Sequence, residues 1–332
     1  VTTDLREMNP SALAQPADPA PRHELRARVL VANGRHNAFP TIARFDGADW
    51  IAYREGDAHA GPARIVVLRS TDGRDWQTVR RIALLADNRD PQLLVHRDRL
   101  CLFVLGVEPK AKRTVLFTAQ PGEGDFTEQG EADLGNLVLW RPIEHAGQLW
   151  CAAYAAGGER RLALIRSDDG LHWQQVAVLG EPHERHGLWS ETAIVVAPGG
   201  RMTAALRFKW SPRRPEHPCL GEIWHSDPPY RQWHVTATLP FRIEGPALAA
   251  FAHTTCLFTR GFNPLGSACA MDIHRLDPDT GATHPLASVP TMRDCAYGQA
   301  VLSDPDTLRL VFYSTAPDGV NLYLAEVPLA PR

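Results

Sequence analysis

The chain of 332 residues is 44% hydrophobic and 22% charged, a composition that builds a globular core and excludes a mostly disordered protein. Its 35 basic and 38 acidic residues leave a formal charge of -3 without a basic stripe, so neither a nucleic-acid partner nor a polyanionic tail is expected. Nowhere do 18 apolar residues run together, and the 6 scattered cysteines form no CxxC pair, which argues against a membrane-spanning helix and a zinc knuckle.

Residues 1–22 are polar and rich in Pro and Ala, and read as a loose tail or a surface strap. They lack the apolar core of a signal peptide, so a cytoplasmic location is the default expectation. Residues 23–332 read as a single domain. RARVLVANG (26–34) is a strand ahead of the first repeat. After it come short apolar runs broken by Asp, Gly and Pro: FPTIARF (39–45), DPQLLVH (90–96), WRPIEH (140–145), SETAIVV (190–196), GPALAAF (245–251) and YGQAVLS (297–303). Each opens a strand–turn–strand hairpin, and the strand starts at Pro40, Pro91, Pro142, Glu191, Pro246 and Tyr297 lie 49 to 55 residues apart. Near-equal units of about 50 residues with four short strands each predict an all-β, six-bladed β-propeller of four-stranded antiparallel blades. RARVLVANG would supply the outer strand of the last blade and remove a free sheet edge.

A second motif lies within these units. Ser70-Thr71-Asp72-Gly73-Arg74-Asp75-Trp76, Ser167-Asp168-Asp169-Gly170-Leu171-His172-Trp173 and a degenerate Ser226-Asp227…Trp233 share a Ser-x-Asp…Trp frame. The aspartate and glycine suit a tight turn by bonding backbone amides and accepting positive φ. The tryptophan then folds back on its own hairpin.

These turns, together with YREGDAH (53–59), DNRDPQLLV (87–95), SETAIVVAPGGRM (190–202) and DCAYGQAVLSD (294–304), resemble the sialidase (neuraminidase) superfamily of BNR or Asp-box six-bladed propellers. The closest echo is in its uncharacterised bacterial members. The resemblance spans roughly residues 27–330. It implies a sialidase-like glycoside hydrolase whose pocket lies on the propeller axis, where the first strands of the blades gather.

Residues expected at that mouth include His36, Asn37, Arg89, Asp90, Trp140, Arg141, Ser190, Glu191, Glu244, Arg293, Asp294 and Tyr297. The ends of second strands add Arg54, Glu55, Asp57, His59, Arg207 and Lys209. By resemblance, Glu191 followed across one hairpin by Arg207 is similar to the family's glutamate and substrate arginine, and Tyr297 to its tyrosine nucleophile. A tyrosine of pKa ~10 needs a neighbouring base to attack an anomeric carbon. Asp90 and Asp57 are the candidate general acids, and His59 a candidate proton or hydrogen-bond donor. Arg54, Arg89, Trp140, Arg141, Arg207, Arg293 and Asp294 are expected to bind substrate.

Where the family has Arg-Ile-Pro, this chain has Asn37-Ala38-Phe39-Pro40, so Arg54 and Arg89 would have to supply the missing cation. The expected partner is a small, polar or anionic carbohydrate. The same pocket could run an elimination, isomerisation or cyclisation, or bind a glycan without turnover. His183 and His186, beside Glu181 and Glu184, form no strong ligand pattern, so neither cofactor nor metal is expected. KWSPRRPEHPC (209–219) reads as an exposed hairpin extension or a lid.

Overall fold

A computed structural model describes residues 23–155, 161–180, 188–209, 219–251, 254–263 and 265–329. The expected tail, the His183–His186 loop and most of the 209–219 extension lie outside them. Among the described residues every regular element is a β-strand. The reason is visible in the sequence, where β-branched and aromatic runs are cut at short intervals by Asp-Gly and Gly-Gly turns.

Four sheets stand alone. Asp87–His96, Arg99–Glu108, Ala111–Ala119 and Thr127–Glu131 form one, and Leu188–Val196, Met202–Lys209, Leu220–Ser226 and His234–Arg242 another. A third is built on Gln148–Ala155, Leu162–Ser167 and Gln174–Gly180, with the short strands Leu137–Val138 and Ile143–His145 both on Gln148–Ala155. The fourth holds Ala247–Phe251, Thr254–Phe262, Ala268–Leu276 and Thr283–Pro290, edged by a parallel His23–Glu24. All remaining strands belong to one eight-stranded sheet. It runs Cys295–Asp304, Thr307–Ala316, Gly319–Pro328, His36–Phe45, Ala48–Gly56, Ala63–Ser70, Gln77–Ile82, with Ala27–Val31 also paired to Gly319–Pro328.

The six separate four-stranded blades expected from the repeat are therefore corrected. Hydrogen bonding gives four discrete blades and a fused sheet. The fusion rests on a parallel pairing, Val320 with His36, which joins the last hairpins of the chain to the first. A repeat period reports where hairpins begin and is blind to such a bridge between its two ends.

Burial falls from the inner strand of a sheet to its outer one. In His36–Phe45 all residues but Arg44 are buried, whereas in Gln77–Ile82 only Ile82 is. Neighbouring sheets share their apolar clusters: Trp50, Ile65 and Val67 pack with Leu102, Val104 and Phe117, and Ala193, Ala205 and Ile223 with Leu248 and Leu257. The side chains of successive sheets thus meet face to face around a common centre.

The aspartate turns work as their residues suggest. Asp72 Oδ1 accepts from the amides of Arg74 at 2.8 Å and Asp75 at 2.9 Å, and Asp169 Oδ1 from those of Leu171 and His172. The third turn differs, because Asp227 accepts instead from the Arg201 guanidinium at 3.0 Å. Trp76, Trp173 and Trp233 are partly buried, and each indole N–H donates to the carbonyl three residues before it.

Candidate functional site

The inner strands are irregular at corresponding places. Pairing shifts register between Ala38 and Thr41, between Arg89 and Gln92, between Trp189 and Thr192, and between Ala296 and Gln299. Three of these bulges hold a residue at positive φ: Phe39 at 54°, Asp90 at 45° and Tyr297 at 52°. Arg141, between the two short inner strands of its sheet, has φ 46°. A bulge turns a side chain out of the pleat, so these residues are aimed toward the centre rather than into a sheet face.

Phe39, Asp90 and Tyr297 border a cavity of about 940 Å³, lined by residues that also include His59, Arg89, Tyr154, Ser190, Glu191, Arg207, Arg260 and Asp294. On one wall the Tyr297 hydroxyl donates to Glu191 Oε1 at 3.1 Å. Arg207 Nη1 donates to the same hydroxyl at 3.0 Å and to Glu191 Oε2. Burial, then the charge of Glu191, pushes the Tyr297 phenol well above its ordinary pKa, so it rests protonated beside a base. Its ring is boxed by Phe39, Trp140 and Tyr313, with centroids 5.2, 5.6 and 5.9 Å away.

Asp90 lies half-buried in the same cavity. Burial raises its carboxyl above the usual range, helped by Glu191 and opposed by Arg89 and Arg141. Arg89 sits over the Phe39 ring at 5.6 Å and reaches Asp87 at 3.3 Å.

Several other expected residues are placed differently. The Arg54 side chain is fully buried and occupied by Asp87 at 3.0 Å and by the carbonyls of Ala58 and Gly61, so it pins the 56–61 loop and lies outside the cavity lining. Arg141 donates to the carbonyls of Pro40 and Tyr297 and to Gln299, tying inner strands together; burial lowers it to about 10. Trp140 is buried with its N–H on the Pro246 carbonyl at 2.8 Å. Arg293 is exposed, and Asp57 pairs with Arg35 at 2.8 Å on the surface.

A residue outside the expected set completes the wall. Arg260 lies over the Tyr297 ring at 5.3 Å, pairs with Glu244 at 2.9 Å and donates twice to the Cys295 carbonyl. Glu244 also reaches Arg207 at 3.5 Å and pairs with Arg242. The signal was present: Arg260 follows Arg207 by about one repeat.

Next to this wall, Asp294 Oδ2 contacts His36 Nε2 at 2.9 Å and His59 Nδ1 at 2.8 Å, while Oδ1 accepts from the Tyr313 hydroxyl at 2.9 Å. Burial opposes ionisation of Asp294, but the hydrogen bonds from His36, His59 and Tyr313 outweigh it and hold the carboxyl far below its usual range.

No family model and no curated protein sequence matches this chain. Its fold is similar to that of a protein of unknown function from Dyadobacter fermentans, at 17% identity and TM-score 0.75 over 93% of this chain and 99% of that one. The Trypanosoma rangeli sialidase, in complex with the inhibitor DANA, is 13% identical with TM-score 0.67, over 88% of this chain and 55% of the sialidase. That sialidase also forms a covalent intermediate with 2,3-difluorosialic acid. A Penicillium chrysogenum α-L-arabinanase, complexed with arabinobiose, is 11% identical with TM-score 0.67 over 92% and 99%.

The relation is one of fold. Membership of the BNR/Asp-box sialidases, expected from the turns, is corrected to a distant likeness shared with an arabinanase. Two regular aspartate turns on blade peripheries specify hairpins, and the divergent Asp227 turn and fused sheet depart from the expected pattern. The expectation of metal independence is corrected too, because His36, His59 and Asp294 bring their ligand atoms within 4.8 Å of one another. No helix among the described residues is long and apolar enough to cross a membrane.

Proposed function

We propose that the cavity binds a small polar or anionic sugar and that the chain hydrolyses its glycosidic bond through a covalent tyrosyl intermediate. The observation that carries this reading is the buried trio in which Tyr297 donates to Glu191 while Arg207 touches both. A phenol placed on a carboxylate is a nucleophile with its base in contact, and its neutrality spares an anionic substrate a like charge.

As the Tyr297 oxygen bonds the anomeric carbon, its proton passes to Glu191 Oε1. The departing glycosidic oxygen takes the proton of Asp90, whose raised pKa suits a general acid. Water then attacks the anomeric carbon, giving a proton to the Asp90 carboxylate, and Tyr297 recovers its own from Glu191. Arg207, Arg260 and Arg89, all in the cavity lining, present guanidinium groups to a substrate carboxylate. Sialic-acid-like sugars are the first class to try, since the similar fold of the Trypanosoma rangeli sialidase reacts with 2,3-difluorosialic acid.

The test pairs turnover with trapping. The protein is assayed on fluorogenic sialosides and on uronic-acid and neutral glycosides, then incubated with 2,3-difluorosialic acid and digested for mass spectrometry. Turnover and an adduct on the Tyr297 peptide, lost in Tyr297→Phe, are expected. An unlabelled Tyr297 together with no turnover on any of these glycosides overturns the reading.

A further inference from the structure

Beside Tyr297, with Phe39, Tyr313 and Arg260 in contact with both, lies a cluster that the proposed hydrolysis does not use. We propose that His36, His59 and Asp294 bind a divalent transition-metal ion of the zinc class at the cavity mouth. Three distant parts of the chain supply the donors: the first residue of His36–Phe45, the loop after Ala48–Gly56, and the residue before Cys295–Asp304. His36 and Asp294 are 258 residues apart in sequence, yet their ligand atoms meet at 2.9 Å.

Two imidazole nitrogens and a carboxylate oxygen are the donor set that borderline divalent metals prefer, and one that calcium or magnesium, which seek oxygen ligands, do not. The ligands are held from behind. Asp294 Oδ1 accepts from Tyr313 at 2.9 Å, and its carbonyl accepts from the Thr315 amide at 3.0 Å and hydroxyl at 3.1 Å. The Phe39 ring packs edge-on to His59 at 5.3 Å. Such outer contacts orient metal ligands.

Ligand atoms in a tetrahedral shell with bonds of ~2.0–2.1 Å are about 3.3 Å apart, so the cluster must open slightly to admit an ion. His59 can provide that movement, because its side chain is 57% exposed while that of His36 is 8% exposed. Each neutral imidazole then carries its proton on the far nitrogen; for His36 this is Nδ1, a buried atom without a partner among the described residues. Arg260 Nη2, 3.6 Å from Asp294 Oδ1, is the competing cation and lies on the side away from the histidines' oxygen. Both His59 and Asp294 line the cavity, so water or a sugar oxygen can take the remaining positions.

The site stands apart from the proposed reaction, because its readout is metal uptake. Tag-free full-length protein is stripped with chelator, dialysed and titrated with Zn²⁺, with bound metal counted by mass spectrometry. Co²⁺ is added separately to record its visible absorption. We expect about one Zn²⁺ per chain and a metal-dependent rise in melting temperature. Affinity should fall at least ~10-fold in His59→Ala and in Asp294→Asn, and stay unchanged in the exposed His284→Ala. Because His59 is exposed, its variant should fold. Absence of stoichiometric uptake, uptake that survives in both His59→Ala and Asp294→Asn, or preference for Ca²⁺ or Mg²⁺ over Zn²⁺ would each overturn the assignment.

Discussion

Replacing Gly245 by alanine tests whether the Tyr297 ring is held as rigidly as its contacts imply. Gly245 has φ +58°, and a Cβ there would meet the ring's Cδ2, Cγ and Cε2 at 2.6, 2.7 and 2.8 Å. Holding alanine in the left-handed region costs about 1–2 kcal/mol. The ring cannot slide away freely. Phe39, Trp140 and Tyr313 surround it, and Glu191 and Arg207 hold its hydroxyl. Overpacking of this kind adds about 1–3 kcal/mol, for a total of about 2–5 kcal/mol.

Gly47 is the matched control, with φ +70° and nothing within 4 Å, so Gly47→Ala carries only the backbone cost. At roughly 1.5 °C per kcal/mol for a chain of this size, Gly245→Ala should melt about 2–4 °C below Gly47→Ala in parallel calorimetric scans. If the proposed hydrolysis holds, turnover should also drop ~100-fold, the penalty for shifting a reacting group by about 1 Å. Melting temperatures within about 1 °C of each other would show that the ring yields, and the claim of a fixed nucleophile would fail.

Glu191→Gln keeps the shape and removes the base, so turnover should fall at least ~100-fold, with a lower melting temperature from the lost pairing with Arg207; full activity in a folded variant would remove Glu191 from the mechanism. Asp72 is held down to about 2 by the amides of Arg74 and Asp75 and the Ser70 hydroxyl. Its folded pKa lies below the unfolded value of ~3.9, so its stabilisation is complete above about pH 4 and vanishes as pH falls through about 2. The melting deficit of Asp72→Asn should therefore shrink between pH 4 and 2, and a deficit independent of pH would contradict the ionic origin of that turn.

The hairpins were legible because each announces itself locally, with an apolar run before an Asp or Gly turn. Ala27–Val31 was also readable as an edge strand, and it pairs with Gly319–Pro328. Glu191, Arg207 and Tyr297 could be singled out by their resemblance to the sialidase glutamate, arginine and tyrosine, and the fold brings the three into contact. What could not be read was which arginines have donors to spare. Arg54 and Arg141 stand at equally suggestive positions, yet backbone carbonyls and buried acceptors consume them. Arg260 was missed because its hairpin, AFAHTTCLFTR, lacks a clear turn. The His36–His59–Asp294 cluster depends on contacts between the two ends of the chain, which no local pattern encodes.

The same irregularities that hide the site from sequence also explain how it is built. Phe39, Asp90, Arg141 and Tyr297 each hold positive φ without being glycine, and such residues cost about 1–3 kcal/mol apiece. Four of them together approach the whole stability of an ordinary domain, ~5–15 kcal/mol, so the surroundings must offset most of that strain. Arg141 is placed to do so. Its guanidinium takes the carbonyls of Pro40, beside the Phe39 bulge, and of Tyr297 itself, and its amide donates to Gln92, beside the Asp90 bulge. One buried arginine, through its guanidinium and its backbone amide, therefore binds three inner strands at their distorted points. The geometry of the nucleophile, the Asp90 acid and the Phe39 wall is then set jointly, and an arginine that never lines the cavity governs the positions of those that do.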